Sequence, residues 1–177
     1  MIDEKVRPFG TTKVFKIYDL SGEMTGYVRE QTSGGAKTAR AFLGKGISGL
    51  QAVTYEILDS TDTLQFFVAK KGGIGTASIF DADGSMMAEL SKGVLIDAAG
   101  NKLGKVKNNF TLKTNLSVLD PEERELGKIS QKWNGVMKTM FTTADKYFVS
   151  TEHGISREQK ILVLGTALIY EMILGNH

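Results

Sequence analysis

The 177-residue chain contains no cysteine, only two prolines and only two histidines. The absence of cysteine excludes a disulfide scaffold, a thiolate metal site, a cysteine nucleophile and S-acylation, and it is compatible with a reducing compartment. With so little proline, no low-complexity tract and no linker-like change in composition, nothing marks a domain boundary. The chain is long enough to bury a sizeable core, so we expect one soluble domain over residues 1–177.

An excess of charge of one sign is also lacking. The 22 basic and 20 acidic residues leave a net charge of +2, so the composition predicts no nucleic-acid partner. The N-terminal letters "MIDEKVRPFG" carry charges where a secretory signal needs an apolar core. We therefore expect a cytoplasmic protein.

Motifs for catalysis are scarce. His153 and His177 have no serine or carboxylate beside them in a nucleophile motif, and "GGIG" at 72–75 lacks the lysine of a phosphate-binding loop. A lone loop histidine is more often a surface residue than a base, and His153 would need a pocket shared with Asp145 or Glu152. The sequence predicts no enzyme, no catalytic residue and no cofactor.

No apolar run is long enough to cross a bilayer. The longest, from Ile161 to Leu174, offers about 14 residues where a span needs about 20, and Glu171 lies inside it. Ser156 and Gln159 have the spacing of a helix-capping box just before this run. We therefore predict a core helix over about 156–174, apolar on nearly every face, which must be surrounded by protein.

The rest of the chain repeats one local pattern, in which an Asp-led polar turn separates two arms of alternating apolar residues. The turns begin at Asp19, Asp59, Asp81, Asp97 and Asp120. Gly22, Gly84 and Gly100 can supply a positive φ in three of them. Five hairpins predict about ten strands, and a sheet of that size tends to curl or close, so we expect a β-barrel around the helix.

Two of these turns, "FDADGS" and "IDAAGN", also resemble calcium loops. Asp81, Asp83 and Gly84 lack the remaining ligand spacing and the terminal glutamate of such loops, and their flanks alternate like strands. The pattern favours hairpin turns over metal sites, and we predict no metal there.

Basic residues form two local groups. Lys37, Arg40 and Lys45 lie in a stretch with helix-compatible spacing, and Lys70 and Lys71 end a strand-like arm ahead of a glycine-rich loop. Charges of this kind usually form a solvated face, and the alternative is contact with an anionic lipid surface. Both interpretations stay open at this point.

The last third of the chain resembles the phospholipid scramblase family. The similarity lies in "GKISQKWNG", the following "FTTAD" and the helix "KILVLGTALIYEMIL", without a gap from Gly127 to Leu174. The matching signature positions are Gly127, Lys128, Ile129, Trp133, Gly135, Phe141, Ala144, Asp145 and Gly165. The letters "YEILDS" at 55–60 are similar to the same family and to the tubby-like and LURP-one-related proteins, and the compact chain resembles the minimal, microbial-type members.

The resemblance implies a mainly β fold, a closed antiparallel barrel of about 12 strands around a central hydrophobic C-terminal helix, as in tubby C-terminal domains. It also implies several activities: calcium-dependent phospholipid scrambling in the scramblases and phosphoinositide binding in the tubby-like proteins. One fold hosts different functions, so these activities are expectations.

The resemblance places a calcium segment on residues 143–154, where the family has several acids. Asp145 is the one acid retained at the family's positions, whereas Thr143 and Gly154 replace the outer ones. One carboxylate cannot supply the several oxygen ligands of calcium, so we predict calcium independence at this segment.

Three functional hypotheses follow. The first is a scramblase-like protein that binds or scrambles anionic phospholipid, peripheral at the inner face of the membrane, through Lys37, Arg40, Lys45, Lys70 and Lys71. The second is a soluble module that binds a protein partner or a ligand, for which an interior ligand would need a gap around Gly165. The third, an enzyme, has no supporting constellation.

Overall fold

The computed structural model describes residues 2–5, 14–31, 53–70, 76–108, 115–130 and 148–174. These residues form twelve strands and one helix. The strands are β1 (Ile2–Lys5), β2 (Val14–Tyr18), β3 (Met24–Gln31), β4 (Val53–Asp59), β5 (Leu64–Lys70), β6 (Thr76–Asp81), β7 (Met86–Ser91), β8 (Val94–Ile96), β9 (Lys102–Asn108), β10 (Asn115–Leu119), β11 (Glu125–Ser130) and β12 (Phe148–Thr151). The helix, which we call α1, is Arg157–Leu174.

The twelve strands form one antiparallel meander, in which each strand pairs with its neighbours in the sequence. The described residues pair β1 only with β2 and β12 only with β11. A mainly β fold with a C-terminal helix is therefore confirmed. The sheet as described is not closed, so the closed barrel stays a prediction.

The predicted core helix begins where its cap was expected. The Ser156 hydroxyl accepts a hydrogen bond from the Gln159 N–H at 3.2 Å, and the Gln159 side chain accepts one from the Ser156 N–H at 2.9 Å. This reciprocal pair satisfies two groups that a helix start would otherwise leave unbonded. The capping box is confirmed.

Helix α1 packs against strands from two separate parts of the meander, β5 to β7 and β11 to β12. Its residues from Ile161 to Ile169 are buried apart from the half-buried Leu164. Buried residues therefore occur on every face of the helix, and the sheet must curve around it for both groups of strands to touch it. The core of the protein lies between the concave face of the sheet and α1.

The helix also carries polar groups into this core. The Thr166 hydroxyl donates to the Leu162 carbonyl at 2.6 Å, one turn earlier, which satisfies it locally. Glu171 is 5% exposed, and one of its carboxylate oxygens has no hydrogen-bond partner among the described residues. Glu30, which is on β3 rather than on the helix, is 8% exposed and also has a carboxylate oxygen without a hydrogen-bond partner in the described part of the chain.

Candidate functional site

The five predicted Asp-led turns share one backbone geometry. In each, the Asp N–H donates to the carbonyl four residues later, and the Asp carbonyl accepts from the N–H three residues later. For the turn at Asp97 these distances are 2.9 Å to Asn101 and 3.0 Å to Gly100. A register shift accompanies each turn, between the two residues that precede the Asp. Such a shift is the bulge that commonly closes a hairpin of this length.

The fourth residue of each turn has a positive φ. Glycine occupies this position at Gly22, Gly84 and Gly100, as predicted. Asp62 and Glu123 adopt the same conformation in the other two turns, with φ values of 66° and 68°. Both of these residues also make a side-chain contact. Asp62 accepts a hydrogen bond from the Tyr27 hydroxyl, and Glu123 forms an ion pair with Lys105. The sequence pattern did not reveal these two positions.

The turn aspartates accept hydrogen bonds through their side chains as well. One carboxylate oxygen of Asp97 accepts from the Ala99 and Asn101 N–H groups, both at 2.8 Å. Asp19 and Asp59 accept from the N–H groups two and four residues later in the same way. Each carboxylate thus stabilises its turn best in the ionised form.

These bonds predict that acid weakens the fold. A hydrogen bond from the Asn101 side chain, followed by its backbone N–H, holds the pKa of Asp97 below the ordinary value of 3.8. A folded-state pKa below the unfolded value means that the contribution is full above 3.8 and is lost as the pH falls through the folded-state pKa. We expect the denaturant midpoint of Asp97→Asn to lie below that of the wild type at pH 7, and the gap to narrow as the pH falls below 3.8. A gap that stays constant on acidification would contradict this account.

The side-chain hydrogen bonds of Asp81 differ from those of Asp19, Asp59 and Asp97. In its turn Asp83 accepts the Ser85 N–H at 2.8 Å, while Asp81 faces α1 and accepts two hydrogen bonds from Arg157, at 3.1 and 3.3 Å. Arg157 also donates to the Gln65 carbonyl on β5 at 3.2 Å. The Arg157 guanidinium lowers the pKa of the Asp81 carboxyl. This contact ties the first turn of the helix to two strands, and no sequence pattern around Arg157 indicated it.

All five turns lie at the same end of the sheet. In an antiparallel meander the connections alternate between the two ends, and the five turns follow the even-numbered strands β2, β4, β6, β8 and β10. The connection from β12 to α1 lies there too, which agrees with the contact between Arg157 and Asp81. Helix α1 therefore starts at this end and runs toward the other.

This end is acidic. Residues 19–23, 59–63, 81–85, 97–101, 120–124 and 152–158 contain twelve acidic residues and two basic ones. The acids are Asp19, Glu23, Asp59, Asp62, Asp81, Asp83, Asp97, Asp120, Glu122, Glu123, Glu152 and Glu158. Arg124 and Arg157 are the two basic residues, and each pairs with acids of the same end. We call this the acidic end.

The connections that leave from the opposite end, which we call the basic end, have the reverse composition in the sequence. The connections that start and finish there are residues 6–13, 32–52, 71–75, 92–93, 109–114 and 131–147. They contain eleven basic residues and one acid, Asp145. Of these connections the structure describes residues 92–93, where Lys92 is exposed. Lys70 on β5 and the exposed Lys107 on β9 lie at the same end of their strands.

Of the five predicted lipid-contact residues, one is in the described part of the chain. Lys70, which is half-buried, is the last residue of β5 and lies at the basic end. Lys37, Arg40, Lys45 and Lys71 lie outside the described residues, in connections that begin and finish at strand termini of the basic end. Their proximity to one another stays a prediction. Sequence reasoning passed over Lys92 and Lys107, because their positions at this end depend on strand order.

Four signature residues of the resemblance fall in the described chain. Gly127, Lys128 and Ile129 are on β11, and Gly165 is in the middle of α1. A Cβ at Gly127 would lie 2.9 Å from Cγ1 of Val163 on the helix and would collide with the Ser150 carbonyl of β12. Trp133, Gly135, Phe141, Ala144 and Asp145 lie outside the described residues.

The space beside Gly165 is occupied by Ile79. A Cβ at Gly165 would lie 2.6 Å from Cδ1 of this isoleucine, so the helix and β6 are in close contact there. The missing side chain of Gly165 thus allows tight packing, and it leaves no gap for the interior ligand considered above.

Candidate metal and catalytic residues are dispersed in the described part of the chain. No group of three or more His, Asp or Glu side chains there could hold a metal ion. His153 and Glu152 are both exposed, in the connection from β12 to α1. Asp145, the proposed third member of that group, lies outside the described residues, so the absence of a catalytic site stays a prediction.

The C-terminal half of the chain matches a known protein family. Residues 90–173, just under half of the chain, match the family model described as Scramblase. This match supports membership of the scramblase family for this part of the chain. The scramblase segment runs from the end of β7 to α1 and therefore includes Gly127 and Gly165, whose missing side chains let the strands and helix approach. No curated protein and no solved structure matches the chain.

Within the described residues, no helix combines the length and the apolar character that crossing a bilayer requires.

Proposed function

We propose that this scramblase-like protein is a peripheral module that binds anionic phospholipid through its basic residues. The observation that carries the proposal is that Lys70, Lys92 and Lys107 lie at one end of the described sheet. In the sequence, the connections that leave from that end contain eleven basic residues and one acid, against a net charge of only +2 for the chain. Anionic lipid surfaces attract such clusters by on the order of 1 kcal/mol for each basic residue near the surface. Membership of the scramblase family supports a lipid as the anion.

The lipid contacts in this proposal are Lys37, Arg40, Lys45, Lys70 and Lys71. The first three belong to the connection between β3 and β4, and the last two belong to the end of β5 and the connection that follows. Both connections leave from the basic end. The proposed ligand is the phosphate head group of an anionic lipid at the cytoplasmic face of a membrane.

The proposal is binding rather than translocation. Moving a head group across a bilayer requires a polar path through the hydrocarbon layer. Helix α1 packs in the core against five strands, so its apolar surface is already used. We therefore propose a non-enzymatic, calcium-independent membrane-binding role.

A closed sheet is part of the same proposal. Helix α1 touches β5 to β7 on one side and β11 to β12 on another, which supports a sheet that curls around it. Pairing of β1 with β12 would complete a twelve-stranded barrel and remove both open edges. In a closed barrel, the acidic end and the basic end would be the two opposite ends of the barrel.

Co-sedimentation with liposomes tests the lipid proposal. The purified protein is mixed with vesicles of graded anionic lipid content, with and without calcium, at two salt concentrations. We expect binding that rises with anionic content, weakens at high salt and ignores calcium, because exposed charges are screened by salt. Replacing Lys37, Arg40, Lys45, Lys70 and Lys71 by glutamine should remove most of it.

Two other outcomes of this experiment would count against the proposal. Equal binding to neutral and anionic vesicles would contradict an electrostatic contact. No binding under any condition would overturn the lipid proposal and favour the alternative, a soluble module for a protein partner or ligand.

A further inference from the structure

Two buried carboxylates lack a complete set of hydrogen-bond partners. Glu30 on β3 is 8% exposed and Glu171 on α1 is 5% exposed, and one oxygen of each has no partner in the described part of the chain. Glu30 is on the same face of β3 as Val28, which is fully buried in the core. Arg29, the basic residue beside Glu30, is on the other face and binds Glu56 at 2.7 Å. Because an ionised carboxylate buried without donors is strongly destabilising, both oxygens call for a cationic partner.

The two carboxylates lie at a similar depth in the protein. Glu30 is six residues after Met24, which begins β3 at the acidic end, and at about 3.3 Å per residue this separation is about 20 Å. Glu171 is fourteen residues after Arg157, which begins α1 at the same end, and at about 1.5 Å per residue this separation is about 21 Å. Strand and helix therefore carry the two side chains a comparable distance away from the acidic turns.

Glu171 is on the side of α1 that faces the first four strands. Successive residues of a helix are rotated by about 100°, which places Glu171 between Arg157 and Val163, about 40° from the first and about 80° from the second. Val163 contacts β11 and Arg157 contacts β5 and the end of β6, whereas Gly165, which contacts β6, is on the far side of Arg157. Because the strands follow their sequence order in the sheet, those that precede β5 occupy the arc between Arg157 and Val163. Glu30 is on one of these strands.

Solvent reaches part of this side of α1. Lys160, Leu164 and Glu171 share it, because they follow one another at spacings of four and seven residues. Lys160 is exposed, Leu164 is half-buried and Glu171 is buried, so exposure decreases along the helix from the acidic end inward. The extended packing of the helix is with β5 to β7 and β11 to β12, on its other sides. This side therefore offers an apolar approach that ends at a carboxylate.

Aromatic rings border Glu30. Tyr55 on β4 is its direct cross-strand neighbour, and Phe15 on β2 is the cross-strand neighbour of Val28, so all four side chains belong to the concave face. The rings of Phe15 and Tyr55 meet edge to face, with their centroids 5.5 Å apart. Aromatic rings attract cations, and a primary ammonium group also supplies three N–H donors for carboxylate oxygens. The surroundings of Glu30 thus suit an organic cation.

We propose that the interior between α1 and β2 to β4 binds a small primary ammonium ion with an apolar chain. The ammonium group donates hydrogen bonds to Glu30 and Glu171, and the chain lies along Leu164. Among the described residues, no three His, Asp or Glu side chains are grouped as a metal ion requires, so an ammonium ion fits this pair of acids better than a metal. The site is on a different side of α1 from Gly165, where the helix and β6 are in close contact.

Thermal unfolding in the presence of three related compounds tests the site. The purified protein is melted in increasing concentrations of hexylammonium chloride, hexyltrimethylammonium chloride or hexanol. We expect hexylammonium to raise the melting temperature until the site is saturated, because a ligand that binds the folded state stabilises it. Hexyltrimethylammonium has no N–H donor and hexanol has no charge, so both should raise it clearly less. Equal effects of the three compounds, or no stabilisation by hexylammonium, would overturn the proposal.

Glutamine variants identify the carboxylate partners. Glu30→Gln and Glu171→Gln each remove one charge and keep the size of the side chain. We expect each to weaken hexylammonium binding at least about tenfold in a calorimetric titration, because a hydrogen bond between charged groups contributes at least that factor. Glu158→Gln removes the same charge from an exposed position in the first turn of α1 and should leave the affinity unchanged. Wild-type affinity in both interior variants would overturn the assignment.

The stability of the ligand-free variants gives a second readout. If Glu171 has no cationic partner within the protein, a neutral amide removes a destabilising buried charge, so we expect the urea midpoint of Glu171→Gln to equal or exceed that of the wild type. A lower midpoint would show that a basic side chain of the protein already pairs with this carboxylate, which would overturn the site. None of these measurements involves a membrane, so their outcome is independent of the proposed lipid binding.

Discussion

Replacing Ile169 with lysine is expected to abolish folding. This side chain is 0% exposed, in the C-terminal half of α1, where the helix packs against the concave face of the sheet. An unpaired lysine ammonium there would lose its hydration without gaining a partner, at a cost of several kcal/mol. Because a domain is stable by only about 5–15 kcal/mol, we expect Ile169→Lys to be insoluble or to lack a cooperative unfolding transition.

Ile173→Lys is the matched control, since it makes the same change one turn later in the same helix. Ile173 is 43% exposed, so a lysine at this position can keep its charge in water. We expect this variant to fold with a denaturant midpoint close to that of the wild type. Soluble, cooperatively folded Ile169→Lys would show that α1 is not the core of the protein.

Gly127→Ala is expected to destabilise the fold by about 1–3 kcal/mol, because the new methyl group has no space. It would meet the Ser150 carbonyl on the neighbouring strand β12 and lie 2.9 Å from Cγ1 of Val163 on α1. A carbonyl in a strand cannot rotate away as a flexible side chain can. Relief therefore requires β11 and β12, or β11 and the helix, to separate.

Gly100→Ala makes the same chemical change in open space. Nothing lies within 4 Å of a Cβ at Gly100, but its φ of 86° strains any other residue, so we expect a loss of about 1 kcal/mol. Urea unfolding of both variants measures the difference. A loss for Gly127→Ala no larger than that for Gly100→Ala would contradict the close approach of β11, β12 and α1.

These expectations give a physical role to a signature of the family. The Gly-Lys-Ile segment of the scramblase match is residues 127–129. Gly127 lies where β11, β12 and α1 meet, and Ile129 is buried in the core. Lys128 between them is exposed and pairs with Glu125 at 2.9 Å. The alternation of the strand therefore separates the two packing residues from the solvent-facing one.

Local features of this fold were predictable from the sequence because they depend on residues close together in the chain. An aspartate followed by a glycine three residues later specifies the hairpin turns at Asp19, Asp81 and Asp97 through bonds within five residues. The capping box of Ser156 and Gln159 spans four residues, and the apolar run behind it required a buried helix. The family resemblance rested on the contiguous stretch from Gly127 to Leu174.

Contacts between distant parts of the chain were not predictable in this way. Arg157 reads as an ordinary charge in the first turn of a helix, yet it binds Asp81, 76 residues earlier. Ile79 fills the space at Gly165 across a similar separation, and neither local pattern contains the other residue. Lys92 and Lys107 show the same limit, because only strand order places them at one end.

The Asp-led hairpins, which account for ten of the twelve strands, the capped apolar helix and the scramblase-like segment were all predictable from the sequence, since short-range hydrogen bonds and periodicity specify each of them. The tertiary structure alone decided which face of each strand meets the helix and which charges share an end of the sheet. A net charge of +2 conceals this arrangement. The alternating meander places the five acidic turns at one end of the sheet and Lys70, Lys92 and Lys107 at the other, and that separation depends on strand order, which no local pattern encodes.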